Sequence, residues 1–338
     1  FRLTRWEQDL AEDKYGRFFY VTDLDSGVGF SSTWQPTREA AESDRIVHGM
    51  GSTRFERSFG FGISTEHTVF VPREGACEVW IVTVKNGSSE AKNLRFGSYL
   101  EWHLGGIGDW HREFHRLFIE CRGHAGGLLA WKHPGLNEGS REPQGPPLVA
   151  FCAWPDAQPV WESDKYRWLG SGGSIQSPAA LGLDRKPPAA PSRWDDPIAG
   201  ATLDISLAPG ESRSFTIVIG VATNAEEAQA TWERFGLPAA CAELEATKAA
   251  WESRCRASAI EVPMQAAQVM LDGWLPYQTI AGRLMARCAY YQQGGAFGYR
   301  DQLQDSLMLL ATEPEATLEQ LGRHAEAMYE DGGVRHWW

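Results

Sequence analysis

The sequence predicts an α+β chain of several domains, an antiparallel β-sandwich followed by α-helices, and three observations carry that expectation. Up to about residue 222, β-rich runs come in pairs separated by Asn-Gly and Gly-rich turns, the pattern of hairpins stacked into a sandwich. After Thr223 the apolar residues recur three and four positions apart, as on one face of a helix. Gly-containing loops join the later helical segments, and no internal repeat is visible.

Each β segment has its own signal. Gly16–Asp23 is followed by a turn at Asp25-Ser26-Gly27. Phe59–Ser64 leads into Glu66–Pro72, and Glu78–Val84 alternates before the Asn86-Gly87 turn. Leu94–Trp102 follows that turn. The last strands, Ala201–Leu207 and Ser212–Gly220, are joined by Ala208-Pro209-Gly210-Glu211. Gly/Pro-rich zones at roughly 133–148 and 184–198 are expected to be long surface loops. Together these segments make residues 1–222 the sandwich domain.

Residues 223–260 read as a helical linker. Asn224 is placed to cap Ala225–Phe235, which ends near Gly236 and Pro238, and Ala239–Ala259 follows as an Ala/Glu/Lys-rich helix. Residues 261–338 form the third part. There Pro263 opens a helix through Val269–Ile280 and Arg283–Ala286, with further helices expected at Gln302–Leu310 and Thr317–Met328.

Composition excludes several partners. Lys and Arg number 32 against 44 Asp and Glu, a net charge of −12, which disfavours nucleic acid and anionic membrane surfaces. No apolar run approaches the ~20 residues that cross a bilayer, and Phe1–Trp6 lacks the apolar stretch of a signal peptide. Six scattered cysteines without a Cys-x-x-Cys spacing fit reduced thiols in a cytoplasmic setting. The 15 tryptophans favour either a sugar-binding surface or an aromatic-packed core. The chain opens on Phe and closes on His336-Trp337-Trp338, which reads as the interior of a folded unit. The expectation is a piece of a longer protein, cut at both ends.

The densest chemistry lies in Tyr290–Asp305. A small-residue loop, Gly294-Gly295-Ala296-Phe297-Gly298, delivers Arg300 and Asp301, and Gln304 and Asp305 follow one turn later. A forked donor beside a bidentate acceptor suits a ligand with adjacent hydroxyls, and the glycines let backbone approach it closely. Arg300, Asp301, Gln304 and Asp305 are therefore the candidate substrate-binding residues. The plainer account makes Asp301 an N-cap and Asp305 a first-turn acid. Asp301 and Asp305 share one helix wall, so they do not flank a scissile bond as a hydrolase pair must.

Other motifs carry less. His111 and His115 have metal-ligand spacing but no third ligand, and loop packing explains them better. No phosphate-binding loop ending in Gly-Lys-Ser/Thr and no G-x-S-x-G elbow occurs. Trp34, Trp161 and Trp168 offer sugar-stacking faces, although aromatics in a sandwich are more often core.

Several ordered segments resemble the inverting cellobiose- and chitobiose-type phosphorylases of glycoside hydrolase family 94. They are Gly16–Val21, Ser32–Pro36, His48–Gly51, Trp274–Thr279, Tyr291–Asp305 and Glu330–Trp338. The resemblance implies an N-terminal sandwich, a helical linker and the first helices of an (α/α)6 barrel. It implies that Arg300 and Asp301 hold the glycosyl unit on the non-reducing side of the scissile bond. Many disaccharide phosphorylases of the family carry a further arginine where this chain has Gly295. The Gly-Gly-Ala-Phe-Gly form looks more like the oligoglucan-acting and cyclic-glucan-synthase branches. The family's general acid and phosphate ligands are expected beyond Trp338, so no residue here is assigned as catalytic and this chain alone is expected to be inactive. The implied reaction cleaves a β-linked gluco-oligosaccharide with inorganic phosphate, without a cofactor or metal, to give α-glucose 1-phosphate. A homodimer is implied as well. The alternatives are a non-catalytic carbohydrate-binding sandwich with a helical tail and a phosphorylase-like module of a cyclic glucan synthase.

Overall fold

The computed structural model describes residues 2–5, 15–105, 116–133, 148–183, 192–193, 195–257, 259–285 and 298–336. Residues 2–105 and 109–247 belong to one compact unit and residues 248–338 to a second.

The first unit opens with β1 (Arg2–Thr4), β2 (Phe18–Asp23), β3 (Gly29–Ser31), β4 (Ser43–Gly49) and β5 (Ser52–Ser58). Then come β6 (Ile63–Phe70), β7 (Cys77–Asn86), β8 (Lys92–Gly105), β9 (Ile119–His124) and β10 (Gly127–Lys132). The rest are β11 (Val149–Ala153), β12 (Val160–Asp164), β13 (Ser192–Arg193), β14 (Pro197–Leu207) and β15 (Ser212–Ala222). One sheet has the order β12-β14-β8-β2-β3, with β1 also on β8, and the other runs β13-β9-β10-β11-β15-β7-β6-β5-β4. All of the ladders are antiparallel; β14 faces β8 from Ile198↔Glu101 to Leu207↔Lys92.

The two sheets share a core. Phe19, Val21, Phe96, Leu100 and Trp102 of the first sheet meet Val82, Val84, Phe215 and Ile217 of the second. Strand β7 shows the cause, since its buried positions mostly alternate from Cys77 to Asn86, as one half-covered face requires. Strand β8 is buried on both faces, because Tyr99 packs outward with Phe18, Tyr20, Trp168 and Leu181. Trp168 belongs to a short helix, α1 (Lys165–Leu169), capped where Tyr166 N–H donates to the Asp164 carboxylate at 3.0 Å.

Ionic groups inside this unit are paired, as burial demands. Glu101 is 4 % exposed and accepts from Arg5 Nη1 (2.9 Å), Lys165 Nζ (2.6 Å) and Tyr99 Oη (2.7 Å). Burial raises the Glu120 carboxyl, but hydrogen bonds from His133, Arg193 and Arg122 outweigh it and hold it at about 2.

The turns expected at Asn86-Gly87 and Ala208–Glu211 form, with Gly210 N–H donating to Asn86 O at 2.8 Å, but neither closes a hairpin. Strands β7 and β15 lie in the larger sheet and β8 and β14 in the smaller, so each turn carries the chain from one sheet to the other. Phe59–Gly62 is a turn instead of a strand start: Phe59 N–H donates to Ile63 O, and Gly62 has φ +83°. The zone expected as a loop over 184–198 needs correction at its end. Ser192–Arg193 pairs with β9, and Pro197 starts β14, the strand position where a missing N–H is tolerated. The zone at 133–148 lies almost wholly outside the described residues.

Helices α2 (Ala225–Glu233) and α3 (Leu237–Cys255) follow the strands. Asn224 caps α2 as expected, accepting from Glu227 N–H at 2.8 Å. Trp232, Phe235, Ala240 and Leu244 lie against Val79, Phe151 and Val218 on the outer face of the larger sheet.

In the second unit, α4 (residues 265–285) starts as Gln265–Val269 and contains two π-helical stretches, Met270–Trp274 and Gln278–Met285. Pro276 accounts for the irregularity, because its missing N–H and its ring break the i→i−4 ladder. Next come α5 (Tyr299–Asp305), continued by the 3-10 turn Ser306–Leu309, and α6 (Pro314–Glu326). Ile280, Leu284 and Leu309 form their core, with Trp251 and Ala316 beside it.

Candidate active site

Helix α5 begins two residues before Asp301, and this settles how the first turn is held. Gly298 is the N-cap, with φ −87° and ψ +130° and no side chain to offer the turn. Gln302 takes over by accepting from Gly298 N–H at 2.7 Å, the reach-back half of a capping box displaced by one residue. Gln302 is 0 % exposed, so this bond is shielded from water. The capping role offered for Asp301 is therefore corrected: it is the third residue of the helix, where its charge meets the positive end of the dipole.

Around that turn the four candidates fall into distinct settings. Arg300 and Gln304 are exposed, while Asp301 and Asp305 are half-buried. Asp305 receives Arg283 Nε at 2.7 Å, which ties α5 to the second π-helical stretch of α4. Arg300 and Asp301 thus stand together on the first turn of a helix braced one turn further on. Tyr299 N–H donates to His336 O at 3.2 Å, and its ring meets His324 edge-on at 5.3 Å. Thr317 Oγ1 donates to Ser306 O at 2.9 Å, and Arg254 donates twice to Glu313, at 2.5 and 2.6 Å. Sequence reasoning did not find Arg283 or Gln302. The only signal for Gln302 was its place four residues after a glycine.

The glycine loop at 290–297, including Gly295, lies outside the described residues, as do His111 and His115. Among the described residues no group of three or more His, Cys, Asp or Glu side chains is placed to hold a metal ion. Also among them, no helix is long and apolar enough to cross a membrane. The five described cysteines form no disulfide with one another, and four of them are buried.

In the first unit the segment Ser32–Pro36 is held by Arg57, 2 % exposed, which donates to the carbonyls of Ser31 (3.1 Å), Thr33 and Glu39. Trp34 stands 53 % exposed on that loop. Trp168 is core at 1 % exposed, whereas Trp161 is half-buried and donates to Gly126 O at 3.0 Å.

Comparison with known proteins bears on both units. A family model described as the glycosyl hydrolase 94 supersandwich domain matches residues 1–238. One described as the catalytic domain of the glycosyl hydrolase 94 superfamily matches residues 250–338. The chain is 30 % identical over its full length to the cyclic beta-(1,2)-glucan synthase NdvB of Rhizobium meliloti (strain 1021), covering 12 % of that protein. It is 26 % identical to the N,N'-diacetylchitobiose phosphorylase of Vibrio proteolyticus and to the solabiose phosphorylase of Paenibacillus borealis, over 95 % of this chain and 40 % of each relative. The chain therefore spans two fifths or less of these relatives. A bacterial glucoamylase complexed with acarbose shares the fold with a TM-score of 0.57 at 10 % identity, over 95 % of this chain and 46 % of that one.

Proposed function

The chain belongs to the glycosyl hydrolase 94 family, and on that premise we propose that the whole protein is an inverting phosphorylase of β-linked gluco-oligosaccharides. The observation that carries the reading is the pairing of Arg300 and Asp301 on the first turn of α5, with the cap supplied by Gln302. Asp301 is not the N-cap, and its two oxygens suit two neighbouring hydroxyls of one glucosyl unit. Arg300 supplies forked donors beside them. Gln304 offers an exposed amide one turn on, and Asp305, held by Arg283, contributes a fixed negative charge to the same wall.

In the reaction, an acid protonates the glycosidic oxygen as its bond to the anomeric carbon breaks. A phosphate oxygen forms the new bond from the opposite face, so a β-glucoside gives α-glucose 1-phosphate. Phosphate is already an anion, and no base or cofactor is called for. The family's acid and phosphate ligands match no residue of this chain, so the 338 residues alone are expected to give no turnover. The substrate chemistry fits a cytoplasmic protein, and the family resemblance suits a homodimer. The 30 % identity to 12 % of a cyclic glucan synthase favours a second reading, a phosphorylase-like module of such an enzyme acting on β-1,2-linked glucan.

The reverse reaction separates these from the non-catalytic rival. The whole protein should extend a β-linked glucose acceptor from α-glucose 1-phosphate and release phosphate. Sugar binding without any phosphate release would leave only a carbohydrate-binding protein.

A further inference from the structure

The first unit contains a second place suited to a sugar, remote in sequence from α5. A cavity of about 410 Å³ opens between β12, α1 and the Gly170–Gly173 turn. Its size falls within the ~300–1,000 Å³ of small-molecule sites. Among the described residues β12 ends its sheet, with no strand beyond one of its backbone edges. Trp161, Tyr166 and Trp168 line the cavity together with Glu162 and Arg167. Trp168 is fixed by its burial against Tyr99 at 5.9 Å, whereas Tyr166 is 66 % exposed. Gly172 has φ +73° and nothing within 4 Å of where a Cβ would stand, which leaves that side open.

We infer that this cavity binds a short segment of β-linked glucan. The exposed Tyr166 ring offers a face to the C–H side of a pyranose ring, and neighbouring polar groups serve its hydroxyls. Glu162 supplies an acceptor and Arg167 donors, the mixture that hydroxyls need and an apolar ligand does not use. Opposite charges on the lining favour a neutral ligand over an anion. The inference rests on the glucan reading of the family for the choice of sugar.

The test titrates the whole protein, without phosphate, with β-1,2-, β-1,3- and β-1,4-linked glucotetraoses by calorimetry and ligand-observed NMR. At least one series should bind saturably. Tyr166→Ala, at an exposed position, should weaken it by about 3- to 10-fold, the scale of one lost stacking contact. Tyr166→Phe should restore binding because it keeps the ring, and Arg167→Ala should weaken it too. Asp301→Asn should leave this binding in place. The proposal is overturned if no series binds, or if the cavity takes indole and no oligosaccharide. It is overturned also if Tyr166→Ala and Arg167→Ala bind as the parent does, or if Asp301→Asn abolishes all binding. Failure of the whole protein to make glucose 1-phosphate, with Tyr166-dependent binding intact, would sink the phosphorylase reading alone.

Discussion

Replacing Asp301 with asparagine keeps the side chain's size and turns one acceptor oxygen into a donor. The structure lets the effects on folding and on binding be separated. Gly298 N–H bonds to Gln302 at 2.7 Å, so the substitution removes no cap. What folding loses is the favourable meeting of a first-turn charge with the helix dipole, about 0.3–1 kcal/mol at a half-buried position. Substrate binding loses more if two hydroxyls donate to this carboxylate. A hydrogen bond to a charged group contributes roughly 1.5–3 kcal/mol, so kcat/KM for phosphorolysis should fall about 10- to 150-fold. Gln302→Ala is the contrasting control. It strips Gly298 N–H of its partner at a buried site and should cost at least ~1–3 kcal/mol of stability. Initial rates over a range of oligosaccharide concentrations, with thermal unfolding of the same preparations, read both effects. Unchanged kcat/KM in Asp301→Asn would refute a ligand role. A stability loss matching that of Gln302→Ala would return Asp301 to a structural one.

Two further outcomes follow from the sandwich. Burial lowers His67 from 6.5 to about 3, and neither ring nitrogen has a hydrogen-bond partner among the described residues. The neutral ring's contribution is complete above about 6.5 and is lost as pH falls toward 3, by on the order of 1.4 kcal/mol per pH unit. His67→Phe, which keeps the stack on Phe19 at 5.0 Å, should flatten that decline in urea unfolding followed against pH, and an unchanged slope would contradict it. Trp232, 3 % exposed between α2 and the larger sheet, should cost ~3–5 kcal/mol on change to Ala, read as a lower midpoint in denaturant. A loss below about 1 kcal/mol would mean that α2 does not cover the sheet.

What was legible in the sequence depended on how a segment meets water. The turn between β14 and β15 announced itself because Pro209-Gly210 interrupts two apolar runs, but that the two strands belong to different sheets did not show. Strands β4 and β5 gave no such signal, since Ser43–Gly49 is exposed on both faces, as an edge strand is, and its apolar residues are confined to Ile46-Val47. The π-helical stretches of α4 share the apolar spacing of an α-helix, and only Pro276 hinted at them. At the candidate site, the residue types around Asp301 were readable, but its neighbours' duties were not. Arg283 reaches Asp305 from 22 positions away, and Gln302 caps a helix that starts earlier than the apolar pattern suggested. Both depend on tertiary geometry that no local pattern encodes.

The most direct measurement follows the reaction of the whole protein with β-linked gluco-oligosaccharide and inorganic phosphate by proton and phosphorus NMR from the first turnover. The account predicts α-glucose 1-phosphate as the initial product, at a rate that vanishes without phosphate. Free glucose formed at the same rate with or without phosphate, or a β-configured sugar phosphate, would contradict it.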